Sequence, residues 1–89
     1  MPRDSNSDVV IEVRVELKPG VMDAEAESIQ KALGLLGIAH VRHVSTSRVY
    51  ALDFEGVTPK AAERLATEAV DRLLANPVIH RVTVTTRTP

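Results

Sequence analysis

"HVRHVSTSRVYALDFEG", residues 40–56, is the stretch on which the fold turns. Two strand-like runs, about 41–45 and 48–54, flank the polar trio Ser45-Thr46-Ser47. That pattern predicts a β-hairpin. In the second run Tyr50, Leu52 and Phe54 fall on one face and Val49, Ala51 and Asp53 on the other, because strand side chains alternate. Both faces are partly apolar.

Outward from the hairpin the periodicities are clearer. "VIEVRVELK", residues 10–18, alternates strictly, with Ile11, Val13, Val15 and Leu17 on one face and Glu12, Arg14, Glu16 and Lys18 on the other. It reads as a strand with one buried face. Pro19-Gly20 stops it in the order of a type II turn, since proline sets φ and glycine accepts φ > 0. Asp23 is placed to cap a helix whose Ala26, Ile29, Leu33 and Leu36 form one apolar stripe. Gly37 ends it, with Ile38 folding back on Leu33 as in a Schellman motif. Gly34 inside the helix suggests a close packing approach there.

A second helix opens at Thr58 with Pro59 at its first position. Ala62, Leu65, Ala66, Ala69 and Leu73 are its expected buried stripe, and Glu68–Arg72 an exposed i,i+4 pair. Asn76-Pro77 ends it, and the last strand, about 78–86, is expected to start at once with Val78-Ile79. The Asn76 amide could satisfy the last helix carbonyls. The order βαββαβ predicts an α+β, ferredoxin-like fold: a four-stranded antiparallel sheet, order 4-1-3-2, with two helices on one face. Residues 1–8 read as a flexible N-terminus, 9–86 as a single domain and 87–89 as a tail. The sheet face opposite the helices carries Val10, Val49, Ala51 and one of Val78 and Ile79, and predicts contact with another copy.

Composition bounds the function. The chain has 89 residues and a net charge of −1, with acids and bases interspersed, so it carries no basic nucleic-acid face. Cysteine is absent, which removes disulfides, thiolate metal sites and a cysteine nucleophile. No run has the length of a signal peptide's core or of a membrane span, so a cytoplasmic location is expected. His40, His43 and His80 do not form a metal-ligand pattern, since His40 and His43, three apart in an extended segment, point to opposite faces. Ser45, Thr46, Ser47 and Arg48 read as a polar turn rather than an anion cradle, and Asp53 and Glu55 as solvated strand-end charges rather than an acid–base pair. No Gly-rich phosphate loop follows a strand. The residues predict no catalytic, cofactor-binding or metal site in this chain.

Three segments together carry a resemblance. "VELKPGVMDAEAESIQKALGLLG", "RVYALDFEG" and "RLLANPVIHRVTV" resemble the PurS family of small subunits of phosphoribosylformylglycinamidine (FGAM) synthase. The opening Lys18-Pro19-Gly20-Val21 and the run Leu74-Ala75-Asn76-Pro77-Val78-Ile79 match best. The chain departs from many members at Asp23-Ala24-Glu25-Ala26, at Val44 to Arg48, and at His80-Arg81, where an acidic pair is common. The resemblance implies a non-catalytic subunit of a purine-biosynthetic ligase complex. In that complex a glutaminase subunit releases ammonia and a large synthetase subunit uses ATP and magnesium. The implied small subunit forms a dimer or tetramer and bridges the two, supporting ammonia transfer. Candidate contacts to those partners or to another copy are Asn76, Pro77, Val78, Ile79, Arg48, Val49 and Ala51. The alternative is an ACT-like regulatory module that binds an amino acid as a dimer, which shares the βαββαβ order.

Overall fold

The computed structural model describes residues 8–87. Its elements are β1 (Asp8–Leu17), α1 (Ala24–Leu35), β2 (Ser47–Glu55), α2 (Pro59–Ala69) continued by a π-helical turn (Val70–Leu74), and β3 (His80–Arg87). Of the expected flexible start only Asp8 is described, and it opens β1; of the expected tail only Arg87 is, and it closes β3.

The sheet departs from the expected one. It has three strands in the order β2-β1-β3, not four in the order 4-1-3-2. β1 is antiparallel to both neighbours, with Ile11 opposite Leu52 and Thr86. Residues 41–45, expected as a strand, join no ladder. The neighbours 3-1-4 of the expected order remain, and the second strand is missing because residues 41–45 run along α1, where Gln30 Nε2 donates to the Arg42 carbonyl at 3.4 Å, instead of along the sheet. Antiparallel neighbours need no crossover, so the chain between β1 and β2 leaves and re-enters at one end of the sheet. Only β2 and β3, parallel to each other across β1, need a crossover, and α2 supplies it. With that order the βαββαβ basis of the ligand-sensing alternative is gone.

Residues 18–46 therefore form an arm rather than a layer, and the molecule measures 50 × 31 × 18 Å. The arm's local chemistry follows the sequence closely. Gly20 has φ +90° and Val21 N–H donates to the Lys18 carbonyl at 3.1 Å, which closes the type II turn. Asp23 caps α1 by accepting from Ala26 N–H at 2.9 Å. Gly37 (φ +78°) donates to Gly34 and Ile38 to Leu33, both bonds of a Schellman motif. Yet α1 does not lie on the sheet. Of its stripe only Ala26 is buried and Leu33 half-buried; Ile29 and Leu36 are exposed.

The arm's base is clasped by Asp23, which also accepts from Thr46 Oγ1 at 2.7 Å. The Thr46 hydroxyl first, then the Ala26 amide, hold the Asp23 carboxyl below its ordinary value. A lowered carboxyl stabilises the clasp fully above its ordinary value and loses that contribution as pH falls through the lowered one. The protection factors of the amides in the first turn of α1, which discount the intrinsic pH dependence of exchange, should fall in that acid window and hold above it.

The expected close approach at Gly34 is absent, for a Cβ there would meet no atom within 4 Å. Gly34→Ala is therefore expected to stabilise α1 by about 1 kcal/mol, read as a rise in thermal midpoint.

The core sits between β1 and α2. Val9, Ile11, Val13 and Val15 are buried against Ala62, Ala66 and Val70. Small residues at Ala62 and Ala66 let the helix backbone approach the strand. Thr58 caps α2 by accepting from Ala61 N–H at 3.2 Å, with Pro59 in the first turn. On the opposite face Glu12 pairs with Arg87, and Glu16 with Arg81 at 3.3 Å. That face is laced with cross-strand charges, and Val49 and Ala51 of β2 lie among them, across from Arg14 and Glu12.

Candidate subunit-contact site

The helix-to-strand junction, residues 70–80, is built from four successive local choices. First, the π turn admits one extra residue, with Ala75 N–H donating to the Val70 carbonyl at 3.2 Å. That rotates the end of the helix. Val70 is buried and Leu74 packs on the core, while Leu73, expected inside, is 82 % exposed. Leu65 of the same expected stripe is exposed as well. Second, β3 starts at His80 rather than Val78, because Asn76–Ile79 form a β-turn closed by Ile79 N–H on the Asn76 carbonyl at 3.1 Å. Asn at the first position and Pro at the second suit a type I turn.

Third, Asn76 acts forward on the turn, not back on the helix. Its Oδ1 accepts from Val78 N–H at 2.9 Å, and its own N–H donates to His80 Nδ1 at 2.9 Å. The latter bond requires the ring's lone pair at Nδ1. Fourth, Lys18 ties the turn to β1: its N–H donates to the Ile79 carbonyl at 2.8 Å, and its Nζ to the Pro77 carbonyl at 2.6 Å. The two segments that carry the family resemblance thus meet in space. Val78 is left 76 % exposed beside Pro77, and Ile79 half-buried.

The β2 candidates divide. Arg48 shares a cleft of about 310 Å³ with Leu74, His80 and Tyr50, next to the junction. Val49 and Ala51 lie on the opposite face, across from Arg14 and Glu12. Sequence periodicity missed Leu73, since a π turn has no periodicity of its own. The Lys18 contacts were beyond sequence reach because they span the chain. Ser45 and Thr46 line a second cleft of about 440 Å³ with Lys18, Asp23, His43 and Arg81. Among the described residues no three His, Cys, Asp or Glu side chains gather as a metal site.

Pro77 contributes through its fixed φ at the turn's second position. Pro77→Ala is expected to cost about 0.4–1 kcal/mol through the unfolded chain alone. Its larger effect should be on assembly, since it loosens the turn that presents Val78. A strong loss of melting temperature with unchanged assembly would make the junction purely structural.

The junction is an exposed apolar turn tied to a small α+β sheet, the kind of surface on which one protein meets another. Comparison with known proteins gives the particular family. The PurS model, described as phosphoribosylformylglycinamidine (FGAM) synthase, matches residues 10–88. The phosphoribosylformylglycinamidine synthase subunit PurS of Archaeoglobus fulgidus is 43% identical over 79 residues, covering 89% of this chain and 99% of its own. The crystal structure of Methanocaldococcus jannaschii PurS, one of the subunits of formylglycinamide ribonucleotide amidotransferase, superposes with a TM-score of 0.77 at 32% identity, over 91% of this chain and 98% of that one. A chain of the Thermotoga maritima PurLQS structure shares the fold, with a TM-score of 0.80 at 22% identity, over 98% and 100% of the two chains. The chain belongs to the PurS family of FGAM synthase subunits.

Proposed function

We propose that this chain is the non-catalytic small subunit of an FGAM synthase, a ligase of purine biosynthesis that works in the cytoplasm. It joins a glutaminase subunit and a large synthetase subunit, associates with a second copy of itself, and supports ammonia transfer between the two active sites. ATP and magnesium act on the large subunit, and this chain holds neither. The observation that carries the reading is the A. fulgidus relative, a PurS subunit matched along 99% of its length. Leu73, Pro77 and Val78 form the docking surface of the junction, with Asn76 and Ile79 shaping its turn and Arg48 at its flank. Val49 and Ala51 belong to the contact between copies. No helix of the described residues is long and apolar enough to cross a membrane, which suits a complex in the cytoplasm.

Size-exclusion chromatography of the three purified subunits tests this. The glutaminase and synthetase should co-elute only when this chain is present; co-elution that ignores it overturns the bridging role.

A further inference from the structure

We infer that His80 is the positioning residue of the junction and makes the grip on the large subunit depend on pH: the neutral imidazole holds the turn in its docking form, and the imidazolium releases it. The inference rests on the docking role proposed above, and three observations carry it.

The first is the direction of one hydrogen bond. The backbone N–H of Asn76, at the head of the turn, donates to His80 Nδ1 at 2.9 Å. An N–H can only donate, so Nδ1 must offer its lone pair and the ring's single proton sits on Nε2. A protonated ring carries N–H on both nitrogens. Two donors then face each other, and the ring has to leave.

The second is what that bond holds. Asn76 Oδ1 accepts from Val78 N–H, and the Asn76 carbonyl accepts from the N–H groups of Ile79 and His80. Each of these bonds starts from Asn76, so the setting of its backbone decides where Pro77 and Val78 point. His80 opens β3 and is fixed opposite Leu17 of the central strand. Its ring therefore ties the head of the turn to the sheet.

The third is the charge around the ring. His80 is half-buried between two clefts. Glu16 of β1, Glu25 of α1 and Arg48 and Tyr50 of β2 line one, and Asp71 of the π turn lines the other. Lys18 reaches the Pro77 carbonyl beside them, and Arg81 follows in β3, where it holds Glu16 at 3.3 Å. No carboxylate forms an ion pair with His80 among the described residues. Protonation thus gains no partner to replace the lost bond. Histidine changes charge between about pH 5 and 8, so the bond is whole at the top of that window and is lost as pH falls through it. The Asp23 clasp, a carboxylate held below its ordinary value, stays intact there.

Calorimetric titration of the full chain into the large subunit at about pH 8 and about pH 5.5 reads the switch. His80→Asn places an amide oxygen where Nδ1 stands, and that oxygen does not titrate. Relative to His80→Asn, the dissociation constant of the native chain should match at the upper pH and rise roughly fivefold at the lower, the worth of one hydrogen bond. His80→Gln carries its acceptor one bond further out and should bind roughly fivefold more weakly than His80→Asn at both. The same pH dependence in the native chain and His80→Asn overturns the switch and leaves docking standing; no binding by any form at either pH overturns the docking role itself. Nitrogen NMR of the free native chain reads the device without partner or variant. At the upper pH Nδ1 should be bare and Nε2 protonated, and protection of the Asn76 amide should fall as the ring gains its second proton. A ring protonated on Nδ1 at the upper pH overturns the inference.

Discussion

Ile11→Ala is expected to lower the stability of this protein by about 2–5 kcal/mol, the range for truncating a large aliphatic side chain in a closed core. Ile11 and Val13 are the largest side chains fully shielded from solvent, at the centre of the central strand. The site has little room to relax: Leu52 and Thr86 flank Ile11 on the two neighbouring strands, and α2 closes the face. A domain of this length holds on the order of 5–15 kcal/mol in all, so the variant stands near the edge of folding. The midpoint of thermal unfolding should fall by roughly 10–30 °C, at about 4–8 °C per kcal/mol. Leu35→Ala is the matched control. Leu35 is 90 % exposed, and its truncation should change stability by less than about 0.5 kcal/mol. A small shift for Ile11→Ala would mean that the core is not where β1 meets α2.

The second large effect concerns assembly rather than stability. Leu73→Asp with Val78→Asp places two carboxylates on the exposed apolar surface of the junction. Both side chains are already in water in the free chain, so the melting temperature should move by only a few degrees. In a closed interface each carboxylate is desolvated without a partner, and binding to the large subunit should weaken by at least tenfold, about 1.4 kcal/mol. Titration calorimetry against the large subunit measures this directly. Unchanged affinity would move the docking surface away from the junction.

Much of this molecule was legible in its sequence, and the exceptions share a cause. Local signals held wherever a few adjacent residues decide the outcome. The Lys18-Pro19-Gly20 turn, the Asp23 and Thr58 caps, the Gly37 Schellman end, the Glu68–Arg72 pair (3.2 Å) and the alternation of β1 all follow the residue chemistry. What failed depends on direction or on distant partners. The run 41–45 has a strand's composition, but a strand needs a neighbour, and within one chain the reversal at α1 provides none. The α1 stripe was read correctly as apolar; that it finds no sheet beneath it is a matter of topology. The second helix's stripe was right at Ala62 and Ala66 and wrong at Leu65, which is exposed, and at Leu73, where one added residue in a π turn shifts the phase. The candidate contacts Asn76 to Ile79 were drawn from a resemblance. The geometry adds the reason for the residue types: asparagine and proline build the turn, and Lys18 of the Lys18-Pro19-Gly20-Val21 opening fastens it.

Glutamine-dependent FGAM formation, with the glutaminase and large synthetase subunits at fixed concentration and this chain present or omitted, tests the account's central claim. Omission should lower the glutamine-dependent rate by at least about tenfold, an added barrier of about 1.4 kcal/mol, while the rate with free ammonia changes far less. The chain alone should turn over nothing. Equal glutamine-dependent rates with and without it would contradict the role of a required, non-catalytic subunit.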